Sequence, residues 1–176
     1  MLEPCLSSGL DGLPRSATLA INERSLALQA QGRLVYRFGL GQSPFPVPDV
    51  LVHALRQHAH EKDYLPVEGL WALRQAVADF HRRQDGVDRA PEGVIIGPGS
   101  KELMFLIQLA FGGSLVLPTP CWVSYGPQAE IAGRPIERVH TNPDSRWRLS
   151  GAQLAAHCAR SPETRRLLIL NYPGNP

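Results

Sequence analysis

The chain has 176 residues, of which 43% are hydrophobic and 19% are charged, and its 18 basic and 16 acidic side chains give a formal net charge of +2. This composition is typical of a folded globular domain and excludes a long disordered chain. Its basic residues form neither a block nor an aromatic-interleaved stripe, so nucleic acid and membrane surfaces are not expected partners. Cys5, Cys121 and Cys158 are too far apart for a disulfide framework, and no leader or membrane-spanning run is recognisable. We therefore expect a cytoplasmic protein.

In the first third of the chain, the sequence predicts a helix and a strand, and an irregular loop separates them from later helices. Residues 1–14 lack any period and read as a loose arm. Leucine and isoleucine at helical spacing predict a helix from residue 16 to about Gly32, where a glycine commonly ends a helix. Residues 34–38 predict a short strand, and the proline and glycine content of residues 39–48 excludes regular structure there.

The rest of the chain alternates helices and strands. Apolar spacing and start signals predict helices over residues 48–60 and from 69 onward, with Tyr64 in their connection. Beyond them, strands and helices are expected at residues 93–96 (strand), 103–111 (helix), 114–117 (strand), 122–132 (helix), 135–139 (strand), 150–160 (helix, with a capping box) and 166–170 (strand). This alternation predicts an α/β fold with parallel strands.

A glycine-rich turn, GPGSKE at residues 97–102, lies between a predicted strand and a predicted helix. Free backbone N–H groups at such a helix start favour an anion such as phosphate. The turn matches neither the GxGxxG nor the Walker spacing, so another phosphorylated cofactor is indicated. An equally weighted alternative is that the glycines and the serine serve only the geometry of the turn.

Loops that follow parallel strands meet at one edge of the sheet. Three such connections are the turn at residues 97–102, the loop at 119–125 and the loop at 171–176. Together they would offer an anion-binding site, the face of an aromatic ring and a carboxamide. A planar, phosphorylated, hydrogen-bonding ring would use all three, and pyridoxal phosphate is such a ring.

Two further stretches carry a family resemblance. Residues 64–74 are similar to the pattern Y-x-P-x-x-G-x-x-x-L-R, and residues 171–176 match the start of N-x-P-x-N-P-T-G. From about residue 16 to its end, the chain resembles the N-terminal half of the class I/II aminotransferases, the fold type I enzymes dependent on pyridoxal 5'-phosphate. The resemblance implies a truncated three-layer α/β/α fold with a mostly parallel sheet. It also implies that residues 1–47 supply an arm, a helix and a substrate-side loop of the small domain, and that 48–176 supply the first half of the large, cofactor-binding domain.

The resemblance assigns cofactor contacts to named residues. Gly99, Ser100 and Lys101 would bind the phosphate, Trp122 would stack on the cofactor ring, and Asn175 would donate a hydrogen bond to the phenolic oxygen. Packing in the core is the alternative for Trp122, and a turn position before proline is the alternative for Asn175.

Two more residues are implied on the substrate and partner side. Tyr64 would reach the phosphate of the cofactor in a second subunit, which implies a homodimer, with packing under the Pro66 turn as the alternative. Gly41 would contact the substrate carboxylate through its backbone, with loop geometry alone as the alternative.

The Schiff-base lysine of the family would lie beyond Pro176, and neither Lys62 nor Lys101 is an expected substitute. We therefore expect an aminotransferase sequence, acting on an amino acid and a 2-oxo acid, whose present portion is inactive alone. Alternatives are a non-catalytic remnant or interaction module that binds a full-length homologue, and another fold type I enzyme such as a lyase or synthase.

A metal site is not expected. His53, His58 and His60 fall on one predicted helix, but their spacings do not place the rings on a common face.

Overall fold

A computed structural model describes residues 13, 15–39 and 41–175, so nearly all of the predicted N-terminal arm lies outside the described residues. In the described part, six helices and three strands follow one another as α1 (Ala17–Ala30), α2 (Asp49–His58), α3 (Trp71–Asp85), α4 (Ser100–Ala110), β1 (Ser114–Thr119), α5 (Tyr125–Ile131), β2 (Ile136–His140), α6 (Gly151–Cys158) and β3 (Arg166–Leu168). None of these helices combines the length and the apolar composition needed to cross a membrane.

Contacts divide the described chain into two compact units. One contains the described residues up to 39 together with those from Lys101 onward, and the other is Gly41–Ser100. The assignment of residues 1–47 and 48–176 to a small and a large domain stays a prediction.

The first unit is built on a parallel three-stranded sheet in the order β2-β1-β3. Val116 of β1 lies opposite Glu137 of β2 on one side and Leu168 of β3 on the other. The first five residues of β1 are all buried, as expected for a central parallel strand covered on both faces. The predicted α/β fold with parallel strands is confirmed.

A small apolar core joins this sheet to α5. Leu115 and Leu117 of β1 pack with Tyr125 and Ala129 of α5, and all four are nearly inaccessible to solvent. Partly buried side chains complete the core: Met104, Cys121, Trp122, Ile136, Leu167 and Ile169.

Two predicted strands are wrong. Residues 34–38 form no strand, and their large side chains are exposed, with Phe38 at 91%. Residues 93–96 form no strand either: Gly93 ends a 3-10 turn, and residues 94–96 lack strand pairing. Both segments have strand-like composition, but a strand needs a partner ladder, and the described residues provide none for either.

Several predicted elements have different bounds in the structure, and α4 begins at Ser100, three residues before the predicted start. The helix expected from Trp122 begins at Tyr125, because residues 120–124 form the turn that leaves the sheet. The strand expected over residues 166–170 ends at Leu168.

The second unit is held together by a buried arginine and a close glycine contact. The Arg74 guanidinium donates to the carbonyls of Pro91 (3.2 Å) and Glu92 (3.1 Å), which ties α3 to the turn that precedes residue 94. Gly69 has φ +100°, and a Cβ there would lie 2.6 Å from Cβ of Ile96, so this position requires glycine.

A carboxylate at the amino ends of the strands joins all three of them. Glu137 of β2 accepts hydrogen bonds from Ser114 Oγ of β1, from His157 Nε2 of α6 (2.6 Å) and from Arg166 Nε of β3 (2.9 Å). Burial acts to raise the pKa of Glu137, but these donors together lower it from 4.5 to about 2. The ionised carboxylate is therefore the form that stabilises the sheet.

This cluster predicts acid-sensitive stability. Because the folded pKa lies below the unfolded one, the stabilisation is complete above about pH 4.5 and disappears as pH falls towards 2. We expect Glu137→Gln to lower the free energy of unfolding by about 2 kcal/mol at pH 7, a typical value for hydrogen bonds to a charged group. Urea titrations at several pH values should show the difference from the parent chain shrinking between these limits. Exposed Glu130→Gln is the matched control, and an unchanged difference at low pH would contradict this role of Glu137.

Candidate functional site

A cavity lies at the carboxyl ends of β1 and β3. These strands are parallel neighbours, so the loops that follow them leave the same edge of the sheet. The cavity has a volume of about 300 Å³. Its lining consists of Pro118, Pro120, Cys121, Tyr125, Arg146, Trp147, Ile169, Asn171, Tyr172, Gly174 and Asn175.

Asn175, predicted to contact a cofactor, is part of this lining. It lies at the end of the loop after β3, in which the Tyr172–Pro173 peptide is cis. The Tyr172 hydroxyl accepts a hydrogen bond from the backbone N–H of Leu149 (2.9 Å), and so it fastens this loop to the segment before α6. Asn175 itself is exposed.

The described lining of the cavity carries one formal charge. Burial raises the pKa of the Cys121 thiol, and burial together with the nearby Cys121 raises the pKa of Tyr125, while Asn171 opposes the shift at Tyr125. Both groups are therefore neutral at pH 7. Arg146 is then the one formally charged side chain among the described lining residues, and its charge is positive.

Trp122 follows the cis Thr119–Pro120 peptide after β1 and is half-buried. Its indole meets the ring of Tyr125 edge to face, with centroids 5.4 Å apart, and packs against the core. Core packing, the alternative to a cofactor contact, is therefore one part of its environment. The other part is a cation, because Lys101 Nζ lies 5.6 Å from the centre of the indole.

The predicted phosphate turn contains a glycine with positive φ. Gly99 has φ +111°, a conformation that side chains other than glycine rarely adopt, and Ser100 is the first residue of α4. The first N–H groups of α4 have no acceptor within the helix and are available to an anion. By contacts, Gly99 and Ser100 belong to the second unit, whereas Lys101 belongs to the first.

Tyr64 and Gly41 also belong to the second unit. Tyr64 is fully exposed at 104%, so it does not pack under the Pro66 turn. Gly41 is exposed, and a Cβ there would meet nothing within 4 Å, so no close approach among the described residues requires glycine at this position. The substrate role of Gly41 and the partner role of Tyr64 stay predictions.

Arg146 and Trp147 line the cavity without having been singled out in the sequence. Both have positive φ, 51° and 57°, which nothing in their residue types suggests. The segment that contains them follows β2, and β2 runs parallel to β1. The rule that loops after parallel strands share one edge would have included them if the loop after β2 had been considered.

The structure places His53 and His58 in α2, and His60 follows that helix. His58 Nδ1 contacts Glu61 Oε1 at 2.9 Å. Among the described residues, no group of three potential metal ligands is found.

A parallel α/β sheet with a cavity at its carboxyl edge is an arrangement typical of α/β enzymes. Residues 35–176 match the family model for aminotransferase class I and II, which covers most of the chain. The protein belongs to the class I and II aminotransferase family.

Individual relatives agree with this assignment. The chain is 32% identical to a probable aspartate/prephenate aminotransferase of Rhizobium leguminosarum bv. phaseoli and 33% identical to the aspartate aminotransferase of Geobacillus stearothermophilus. Each match covers 97% of this chain but only 43% and 44% of those relatives. The chain therefore spans less than half the length of the curated proteins it matches.

Solved structures show the same fold. The aspartate aminotransferase of Rhizobium meliloti superposes with a TM-score of 0.87 at 25% identity, over 97% of this chain and 43% of that one. The Thermus thermophilus enzyme with maleate gives a TM-score of 0.85 at 28% identity, over 97% and 45%. The predicted fold, a truncated fold type I α/β domain, is confirmed.

Proposed function

We propose that this chain forms the cofactor-binding part of a pyridoxal 5'-phosphate-dependent aminotransferase that acts on an amino acid and a 2-oxo acid. The observation that carries the proposal is the pairing of Lys101 with Trp122, whose indole contacts Tyr125 in the lining of the cavity that also includes Asn175, in a chain of this family. When bound, pyridoxal phosphate supplies an electron-withdrawing ring that stabilises negative charge on the α-carbon of an amino acid.

The cavity residues suit the side of the pyridoxal phosphate ring that bears the phenolic oxygen. The Asn175 amide would donate a hydrogen bond to the phenolic oxygen and so favour its ionised form. Because Cys121 and Tyr125 are neutral at pH 7, they add no negative charge that would oppose it. Arg146 adds positive charge to the same wall.

Other residues would contact the face of the cofactor ring and the cofactor phosphate. The Trp122 indole offers a large face to a planar ring, and its T-shaped contact with Tyr125 fixes the orientation of that face. The first N–H groups of α4 and the Ser100 hydroxyl would bind the phosphate, with Gly99 giving the turn its conformation. The Lys101 ammonium would add a charge close to the ring.

The exposed apolar side chains of the second unit support a homodimer as a further part of the proposal. Tyr64 is 104% exposed and Val67 95%, and in the same unit apolar Phe45 is 81% exposed and Leu55 73%. Exposed apolar side chains in this number favour a partner surface. The proposed partner is a second copy, to whose cofactor Tyr64 would contribute. Pairing with a full-length homologue, as an interaction module, is the alternative that the same exposure supports.

The relatives' names make aspartate the first substrate to test. Transfer of ¹⁵N from labelled aspartate to a 2-oxo acid, by protein isolated from its source cells, checks the reaction and separates an aminotransferase from a lyase or synthase. The free thiols of Cys121 and Cys158 fit a reducing compartment, and we propose the cytoplasm.

Binding of pyridoxine 5'-phosphate tests the cofactor part of the proposal. This analogue lacks the aldehyde and so does not react with surface amines. We expect saturable quenching of tryptophan fluorescence in the purified chain, and binding about 10-fold weaker for pyridoxine, which lacks the charge-assisted hydrogen bonds of the phosphate. Equal affinity for the two compounds would exclude a phosphate site.

A further inference from the structure

A buried pair of glutamines connects α4 with α5. Gln108 of α4 is 1% exposed and Gln128 of α5 is 8% exposed. Gln108 Nε2 donates to Gln128 Oε1 (3.2 Å) and to the carbonyl of Met104 (3.2 Å), and Gln128 Nε2 donates to the carbonyl of Lys101 (2.8 Å). Such a pair is unusual in a core, because a buried amide is costly unless it is hydrogen-bonded.

Chemistry fixes the direction of these hydrogen bonds. The backbone carbonyls of Lys101 and Met104 can only accept, so the amide nitrogen of each glutamine must face its carbonyl. Gln128 is then left with its oxygen towards Gln108, which has a second N–H to donate. The pair therefore has one arrangement, and turning over either amide would place two acceptors together.

The end of this chain of hydrogen bonds lies at the candidate site. Lys101 is in the first turn of α4, and its ammonium lies 5.6 Å from the centre of the Trp122 indole. Trp122 is three residues before the start of α5, the helix that carries Gln128. Gln128 thus joins the backbone of Lys101 to the element that holds Trp122.

We propose that Gln128, through its hydrogen bond to the Lys101 carbonyl, is a positioning residue that sets the separation of the Lys101 ammonium and the Trp122 indole. Together Lys101 and Trp122 form a face for a planar, anionic aromatic ligand, and Gln128 holds that face before the ligand arrives. The inference rests on the proposed function for the identity of the ligand, but not for the Lys101–Trp122 geometry.

The amide oxygen of Gln108, Oε1, bears on why the pair is present in the core. This buried atom has no hydrogen-bond partner among the described residues. An unpaired buried acceptor lowers stability. Stabilisation alone is therefore a poor explanation for the pair, and a positional role accounts for its presence.

The test uses the two lysines of the chain, Lys62 and Lys101. In the purified full chain labelled with ¹³C-lysine, ring currents of Trp122 should shift the side-chain methylene signals of Lys101 away from those of exposed Lys62. We expect Gln128→Met to move the Lys101 signals most of the way to the Lys62 positions. The same variant should bind pyridoxine 5'-phosphate about fivefold more weakly, the value of one hydrogen bond.

Gln108→Met is the matched control, because it removes a buried amide from the same pair but leaves the donor to the Lys101 carbonyl. It should move the Lys101 signals much less. Unchanged Lys101 signals in Gln128→Met, or equal movement in both variants, would overturn the proposal.

Two further measurements keep the test decisive if Gln128→Met does not fold. The double variant Gln108→Met/Gln128→Met keeps the core filled and apolar, and its Lys101 signals should still move. In the parent chain, the Gln128 side-chain amide protons should exchange far more slowly than those of Gln153, and equal exchange would refute the buried hydrogen bond. Failure of the parent chain to bind the analogue would contradict the proposed function, while the Lys101 signals would still decide the role of Gln128.

Discussion

Replacing Trp122 with alanine is expected to weaken binding of pyridoxine 5'-phosphate about 30-fold. Stacking of a planar heteroaromatic ring on an aromatic side chain contributes about 2 kcal/mol. Trp122 also packs against the core, so Trp122→Phe, which keeps an aromatic ring there, should retain most of the stability and lose only part of the affinity. Isothermal titration calorimetry gives the affinities, and thermal unfolding gives the stabilities.

Trp71 offers a matched control for this variant. A cation also lies over the Trp71 ring, because Arg74 Cζ is 5.3 Å from the ring centre. Trp71, however, belongs to the second unit. Trp71→Ala therefore removes an equivalent cation–π contact without touching Trp122. Equal losses of affinity in Trp71→Ala and Trp122→Ala would remove Trp122 from the ligand site.

The second large effect is expected at Gly113. A Cβ there would overlap the carbonyl oxygen of Arg165 and lie 2.6 Å from Cε1 of Phe111. The same carbonyl accepts the backbone N–H of Ser114 (3.0 Å), where β3 is about to pair with β1. Gly113→Ala must therefore push backbone away from backbone, and we expect it to cost about 3 kcal/mol of stability, at the upper end for overpacking.

Gly112 provides the comparison within the same turn, since a Cβ there would meet nothing within 4 Å. Gly112→Ala should leave the urea midpoint close to that of the parent chain, whereas Gly113→Ala should lower it strongly. A small effect at Gly113, similar to that at Gly112, would show that β3 can move away from the turn at little cost.

Local signals in the sequence predicted much of the first unit. The apolar run at residues 114–117 predicted a strand, and the first five residues of β1 are buried. Ser150 and Gln153 predicted a capping box, in which Ser150 Oγ accepts from Gln153 N (3.1 Å) and Gln153 Oε1 accepts from Ser150 N (3.0 Å). Gly32, expected near the end of α1, has φ +77°.

Features that depend on distant partners were not predictable in the same way. Residues 34–38 have the composition of a strand, but composition does not reveal whether a partner strand exists. Gln108 interrupts an apolar run and would ordinarily be placed towards solvent. Its burial depends on Gln128, which comes from a different helix. Arg146 adopts a left-handed conformation that its residue type disfavours.

The strand order β2-β1-β3 sets an order of folding events. The connection from β1 to β3 is about three times as long as that from β1 to β2, and closing it costs about 1 kcal/mol more in chain entropy. The β1–α5–β2 segment is also complete before β3 is synthesised. We therefore expect β3 to dock last, and Arg166 to meet Glu137 only in that final step. Until then, one edge of β1 is open to pairing with other chains.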